Sequence, residues 1–275
     1  MKKSKKVVLL TGTELRHEFF RKYLANHDDI NILSSFCESK KGNLSELVQK
    51  NKNANNLRSL HLLEREVIEN DFFGVFCYHI DDKSNPIFIE KGDINSSINV
   101  QKIIKHNPEI IISYGCSIIN SELLNIFEGR FINIHLGLSP YYRGSGTNFW
   151  PFVNNELQFI GTTFMHIDSG IDTGEIIHQI RAKISINDNI HKIGNRLIKD
   201  SFTECVKLIR CFDEIKTVQT NSIKQAPKRY YRKKDFTEAS LKVAYLNLSK
   251  GSIKNYLDKK STIDNQFPIL KNPIF

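Results

Sequence analysis

Two short stretches of this chain carry side chains able to do electrostatic and proton-transfer chemistry together. One is Asn133-Ile134-His135; the other is Asp168-Ser169-Gly170-Ile171-Asp172-Thr173-Gly174. Side chains alternate along a strand, so Asn133 and His135 project to the same side of an extended segment. The second stretch reads as a tight, glycine-bounded loop carrying carboxylates. An amide, an imidazole and a carboxylate suit acyl transfer to an amine. Attack of an amine on an acyl carbon builds a tetrahedral centre with a negatively charged oxygen. An Asn amide can donate to that oxygen. A His can donate to it too, or move a proton from the amine to the leaving nitrogen. An Asp beside the His favours the imidazolium and can relay a proton through water. A lone His at a strand end is usually an ordinary satisfied residue; the order Asn-x-His, glycine-rich loop, Asp-x-Gly-x-Asp sets this one apart.

The surrounding elements follow from hydrophobic spacing. Val7–Leu10 reads as a buried strand closed by Gly12, and Leu15, Phe19, Phe20, Tyr23 and Leu24 recur at helical intervals within Glu14–Leu24. Ile30–Phe36 is a second strand, so the chain opens β-α-β, which predicts a parallel sheet with crossover helices. Asn43 to Asn70 reads as helical, with Gly74 as its stop. His61, Arg65 and Glu69 share one face of it, read as solvated and ion-paired, or alternatively as a helix at the substrate edge. Val100–Lys105 is a short helix, and Pro108–Ser113 is apolar enough for a strand buried on both faces, with Tyr114-Gly115 at its C-terminal end. Phe131–His135 and Gly161–Ile167 are strands, as is Glu175–Ile184. Leu136–Thr147 is loop, Asn148–Asn154 a short helix and Asn189–Phe212 a long one. After about Lys216 the character changes: Lys228-Arg229-Tyr230-Tyr231-Arg232-Lys233-Lys234 is basic and aromatic, and Asp235 is expected to cap a helix over Thr237–Leu246. The expected fold is α/β, a Rossmann-like, mostly parallel sheet with helices on both faces. Residues 1–215 form the catalytic domain and 216–275 a short, partly helical extension. In such sheets ligands bind outside the carboxyl ends of the strands, where the candidate residues fall.

Composition narrows the function classes. The 275 residues leave room for one large α/β domain. Lysine and arginine number 39 against 30 acids, a net charge of +9. Such a surface attracts anions such as nucleotide-sugars, folate polyglutamates, nucleic acid or acidic lipid, or serves solubility alone. Cys37, Cys77, Cys116, Cys205 and Cys211 are odd in number and lack a CxxC pair, which argues for reduced thiols over a disulfide framework or a zinc site. The scattered histidines argue against a metal. No Walker loop, GxGxxG, HExxH or GxSxG occurs. The basic opening Met1–Lys6 leads into an apolar run too short for a signal peptide, and no stretch is long enough to span a membrane. The expectation is a soluble cytoplasmic protein.

The runs Phe131–His135, Leu138-Ser139-Pro140-Tyr141-Tyr142-Arg143-Gly144, Gly161-Thr162-Thr163 and Asp168–Gly174, with Ser113-Tyr114-Gly115 ahead of them, resemble the formyltransferase family. That family includes the methionyl-tRNA, glycinamide ribonucleotide and sugar N-formyltransferases. The motifs keep consistent order and spacing from Ser113 to Gly174, and the Rossmann-like pattern extends the likeness to roughly the first 210 residues. The resemblance implies Asn133, His135 and Asp172 as catalytic residues, Asp172 rather than Asp168 being the family's second Asp. It implies N10-formyltetrahydrofolate as donor. The pterin would lie between the turn at Tyr114, Gly115, Ile118 and Ile119 and the loop at Asp168, Gly170 and Ile171, recognised largely by backbone groups.

The acceptor is harder to read. The tRNA enzymes typically carry a C-terminal β-barrel, and the glycinamide ribonucleotide enzymes are shorter. The tail and the loop Ser145–Trp150 look more like the sugar branch, where an amino sugar on a nucleotide carrier is formylated for surface polysaccharide. Arg143, Gly144 and Ser145 are the candidate acceptor residues; Trp150 reads as a buried helix residue before a stacking platform. A nucleotide-linked amino sugar is thus the expected partner, with nucleic acid disfavoured, no membrane, and a homodimer left open. The other readings are a methionyl-tRNA formyltransferase-like enzyme, a formyl-folate hydrolase, and a non-catalytic folate- or nucleotide-sugar-binding protein.

Overall fold

The computed structural model describes residues 4–39, 56–168, 170, 172–218 and 228–274. Strands β1 (Lys5–Gly12), β2 (Ile30–Glu38), β3 (Pro86–Ile89), β4 (Ile110–Tyr114), β5 (Phe131–His135), β7 (Gly161–Met165) and β8 (Ile176–Arg181) form one sheet of order β3-β2-β1-β4-β5-β7-β8. Pairing is parallel from β3 through β5 and antiparallel from β5 to β7 and β7 to β8. The mostly parallel α/β expectation holds. β3 had no counterpart in the sequence reading; it is a short edge strand opening on Pro86, where no neighbour needs the missing N–H.

Alternation along the strands sorts the core. Val7, Leu9, Ile112, Ile132 and Ile134 face α1 (Leu15–Ala25), α2 (Leu57–His79) and α6 (Ile190–Arg210), through Phe19, Phe20, Phe73 and Phe202. Val8, Leu10, Phe36, Ile111 and Phe131 face the other way, onto α3 (Ser97–His106) and α4 (Ser121–Ile126), through Val100, Ile103 and Leu123. Asn133 and His135 follow Phe131 at intervals of two and so lie on this second side, at the carboxyl end of β5.

Several local expectations change. Residues 40–55 of the first predicted helix lie outside the described residues. The described part, α2, runs straight through Gly74 to His79. Phe73 and Cys77 are buried there against α1, and that packing outweighs the cost of about 1 kcal/mol for a helical glycine. The face bearing His61, Arg65 and Glu69 is ion-paired but not solvated. Arg16 of α1 binds Glu69 and Glu14, Arg65 binds Glu14, and His61, buried like Glu69, lies against His191 of α6 and Tyr245 of the extension. The predicted loop 136–147 contains a strand, β6 (Tyr142–Gly144), and the short helix α5 is Trp150–Val153.

The extension is woven into the body. Its strand β9 (Arg229–Tyr231) pairs in parallel with β6 as a separate two-stranded sheet. Helices α7 (Glu238–Ser249), α8 (Ser252–Asp258) and α9 (Lys260–Gln266) follow. Leu241, Ala244, Ile253, Tyr256 and Leu270 share one apolar cluster with Leu138, Tyr141, Phe159, Ile193 and Leu197. The cap of α7 is Thr237, whose side chain accepts from Ser240 N; Asp235 instead accepts from Arg232 N one turn earlier. Residues 268–272 run along the outer edge of β8. Gln179 N donates to the Leu270 carbonyl at 2.8 Å, Leu270 N to Gln179 Oε1 at 2.9 Å, and Asn272 Nδ2 to the Ile177 carbonyl at 3.1 Å. Among the described residues no helix is long and apolar enough to cross a membrane.

Candidate active site

The parallel register places Ser113 of β4 beside Asn133 of β5. Ser113 Oγ donates to Asn133 Oδ1 at 2.9 Å, which fixes the amide by its acceptor end. Asn133 Nδ2 has no acceptor among the described residues, so a half-buried donor stays available at the strand end.

His135 is 8% exposed. Its Nδ1 lies 3.1 Å from Asp172 Oδ1 and its Nε2 lies 3.4 Å from the Tyr142 carbonyl oxygen. Both nitrogens face acceptors, so both contacts are hydrogen bonds at once only when the ring is doubly protonated. Gly137 makes room for this ring: a Cβ there would stand 2.6 Å from His135 Nε2 and from Thr147. Thr163, paired with His135 across β5–β7, donates to the Gly137 carbonyl at 2.7 Å and accepts from Ser139 N at 3.0 Å, closing the turn that follows the strand.

Asp172 completes the group. Its Oδ2 accepts from Gly144 N at 2.9 Å, and its backbone is left-handed, with φ of +52°. Asp tolerates that region better than most residues, and such departures tend to occur where side-chain aim matters. Burial pushes the carboxyl upward. The hydrogen bond and charge of His135, the Gly144 amide and the charge of Arg143 together outweigh it and hold Asp172 below the ordinary value. Asp168 does not join this group. Its Oδ1 accepts from Gly170 N at 2.9 Å and Thr173 Oγ1 at 2.8 Å, folding the loop upon itself.

The other sequence candidates fall on either side. The Tyr114 ring sits in the core against Phe20, Phe202 and His17, and burial pushes its phenol up to about 12. The residue as a whole is buried, so its ring offers no surface to a ligand. Gly115 has φ of +71°, and a Cβ there would meet His17 Nε2 at 2.4 Å, so that turn requires glycine. Ile119 is buried, whereas Ile118 is 73% exposed. Ile171 lies outside the described residues. Arg143 and Gly144 are on β6. Ser145 N donates to the Tyr231 carbonyl and its own carbonyl accepts from Trp150 Nε1, both at 2.8 Å. Trp150 is buried and stacks on Tyr231 at 4.1 Å.

Sequence reasoning missed Glu38. This buried carboxylate at the end of β2 accepts from Gly92 N at 2.9 Å and Ser117 N at 2.6 Å, and so anchors the loop after β4. A charged residue closing an apolar strand was the available signal. Ser113, Thr163 and Tyr142 lie in the runs that carry the resemblance, but their roles depend on register and on a backbone approach and were not legible there. Among the described residues no cluster of three or more His, Cys, Asp or Glu side chains is arranged to ligate a metal.

Comparison with known proteins places this arrangement in a family. The model of the formyl transferase family matches residues 6–209, which contain every group just described except the extension's. The chain belongs to that family, whose enzymes transfer formyl groups. Over 116 residues it is 33% identical to the methionyl-tRNA formyltransferase of Desulforamulus reducens; the match covers 42% of this chain and 36% of that relative, about a third of its length. A sugar N-formyltransferase from a Shewanella species shares the fold with a TM-score of 0.56 at 17% identity, covering 88% of this chain and 87% of the other. A phosphoribosylglycinamide formyltransferase from Anaplasma phagocytophilum does so with a TM-score of 0.53 at 14% identity, covering 84% of this chain and 100% of its own.

Proposed function

We propose that this protein transfers a formyl group from N10-formyltetrahydrofolate to a primary amine, and that the amine belongs to an amino sugar on a nucleotide carrier. The observation that carries the reading is the His135–Asp172 pair beside Asn133, whose amide is held by its oxygen and keeps its Nδ2 donor without an acceptor among the described residues, at a sheet end. As the acceptor nitrogen bonds to the formyl carbon, Asn133 Nδ2 and the His135 ring stabilise the oxygen that gains charge. The acceptor nitrogen gives up a proton, the leaving nitrogen gains one as its bond to the formyl carbon breaks, and His135, held by Asp172, carries that exchange. The exposed Ile118 and the backbone of the Gly115–Ile119 turn would receive the pterin.

Two observations favour the sugar acceptor. The described extension is helical with one short strand, unlike the β-barrel typical of the tRNA enzymes. Sugar N-formyltransferases also recur among the proteins that share the fold, the Shewanella enzyme over 88% of this chain. The identity in the tRNA match keeps methionyl-tRNA as the second reading. The test has two arms. The stable analogue 5-formyltetrahydrofolate at a hundredfold excess over its Kd should stabilise the fold by about 2.7 kcal/mol, seen as a thermal shift. Mass spectrometry of amino-sugar nucleotides and of methionyl-tRNA incubated with enzyme and donor should show one added formyl group on a sugar nucleotide. Absence of a thermal shift would remove the folate reading, and formylation of the tRNA alone would replace the acceptor.

A further inference from the structure

The basic-aromatic run of the extension lies beside the active site without contributing a group to it. Its strand β9 pairs with β6, and β6 supplies the backbone that holds both members of the His135–Asp172 pair. The Tyr142 carbonyl faces His135 Nε2, and Gly144 N donates to Asp172 Oδ2. Among the described residues, β9 is the only strand paired with β6. A strand of three residues does not hold its own position.

A clamp of side chains fixes the pairing. Arg229 Nε lies 2.9 Å from Glu156 Oε2, and Nη2 lies 2.5 Å from Oε1, a two-pronged contact. The Tyr142 hydroxyl donates to the same Glu156. Asn154 Nδ2 lies 2.8 Å from the hydroxyls of both Tyr142 and Tyr231. Trp150 lies flat on Tyr231, the planes 9° apart. Gly144 has φ of +94°, and a Cβ there would stand 2.1 Å from the Tyr231 carbonyl, so only glycine lets β9 come this close.

We infer that the Arg229–Glu156 ion pair and the Trp150–Tyr231 stack position the His135–Asp172 pair, acting through β6. The inference rests on the reading of that pair as catalytic, proposed above. The clamp itself makes no contact with His135 or Asp172. It determines where the Tyr142 carbonyl and the Gly144 amide stand, and a displacement of about 1 Å at such groups costs up to about 10²-fold in rate. A brace without this role would change stability and leave turnover per folded molecule alone.

The experiment uses the full chain with Arg229→Met, which keeps bulk and removes the fork, and Arg229→Lys, which keeps the charge but not the two-pronged geometry. The first readout is the ring 15N resonance pattern of His135, assigned with His135→Gln, in protein without ligand. The second is kcat and KM with the formyl donor. Arg229→Met should alter the His135 resonances and lower kcat about tenfold, with KM for the donor within about twofold. Arg229→Lys should recover part of both. Adding Glu156→Gln to Arg229→Met should cost little more, since one interaction is already lost. Unchanged His135 resonances, or a lowered Tm with wild-type kcat, would overturn the inference. If the wild-type protein transfers no formyl group, the proposed function fails while the resonance measurement still decides this question. If Arg229→Met does not fold, Glu156→Gln alone, which keeps the shape and removes the charge of the ion pair, is read in the same two ways.

Discussion

The two segments that flank the end of β5 are held by different means. On the side of the Gly115–Ile119 turn, the anchors come from neighbouring strand ends. Glu38 grips Ser117 N and Gly92 N, Asn95 Nδ2 donates to the Ile118 carbonyl, and Asn120 N donates to Asn95 Oδ1. Glu38 ends a strand of the parallel half and Asn95 lies in the helical turn that follows β3, so the loop is fixed once that half and its connections form. On the side of β6, the anchors come from the extension and reach across the sequence: Arg229 to Glu156 spans 73 residues and Asn154 to Tyr231 spans 77. On the proposed reading the first side receives the formyl donor and the second the acceptor. The donor site would then be tied to the sheet itself, and the acceptor site to a segment that can vary while the sheet is kept.

The sharpest way to break this comparison is at the point where the two sides meet. Asn133→Ala, His135→Ala and Asp172→Ala should each lower turnover by at least about 10²-fold, the scale for losing an oxyanion donor or a general acid–base group. Donor affinity should change far less for Asn133 and His135. Asp172→Ala should also weaken donor binding, because on the proposed reading its loop forms one wall of the pterin site. Combined losses should fall short of the sum, read by steady-state kinetics with binding measured separately. Near-wild-type turnover in His135→Ala would leave the site without its proposed chemistry.

The next test separates the sides. Glu38→Gln removes the carboxylate from two backbone donors on the donor side alone. Affinity for 5-formyltetrahydrofolate, by calorimetry, should fall about tenfold, near 1.4 kcal/mol, with kcat at saturating donor close to wild type. A fall in kcat of the same size would mean that the anchors are not confined to one side.

The smallest expected effect is a pH dependence. The Asp172 carboxyl is held below its ordinary 3.8 in the folded protein. A depressed folded value means stability that is present above the unfolded value and lost as pH falls through the folded one. Urea unfolding of wild type and Asp172→Asn should show a stability difference that is steady from about pH 5 to 7 and shrinks below about pH 4. A difference that grows on acidification would reverse the assigned sign.

Much of this was legible in the sequence because it is local. Val7–Leu10 and Ile110–Ser113 announce strands by their apolar runs, and Asn133 and His135 share a side by alternation alone. The family resemblance pointed to Asp172 over Asp168, and it is Asp172 that meets His135. What stayed hidden depends on contacts between distant residues. β6 looked like loop because its partner strand comes from the extension. Gly74 looked like a helix stop because the burial of Phe73 and Cys77 is decided by α1. The extension looked like an appendage because its apolar residues gain a core only against Leu138, Ile193 and Leu197. For the same reason, cutting away residues 217–275 would open that core, so point changes in the clamp are the cleaner probe.

The strap of residues 268–272 along β8 has a consequence for synthesis. Gln179 and Leu270 are 91 residues apart, yet the outer edge of β8 around Gln179 is closed only when the second reaches the first, Val218 N meeting the Ile176 carbonyl at the start of the strand. At about 5–20 residues per second, the growing chain carries that strand with its outer N–H and C=O groups unpaired for several seconds or longer. An open strand edge is a template for any other extended chain, including a sister chain on the same messenger. The nascent protein therefore passes through an interval of vulnerability set by translation speed, and slower translation between Gln179 and Leu270 lengthens it.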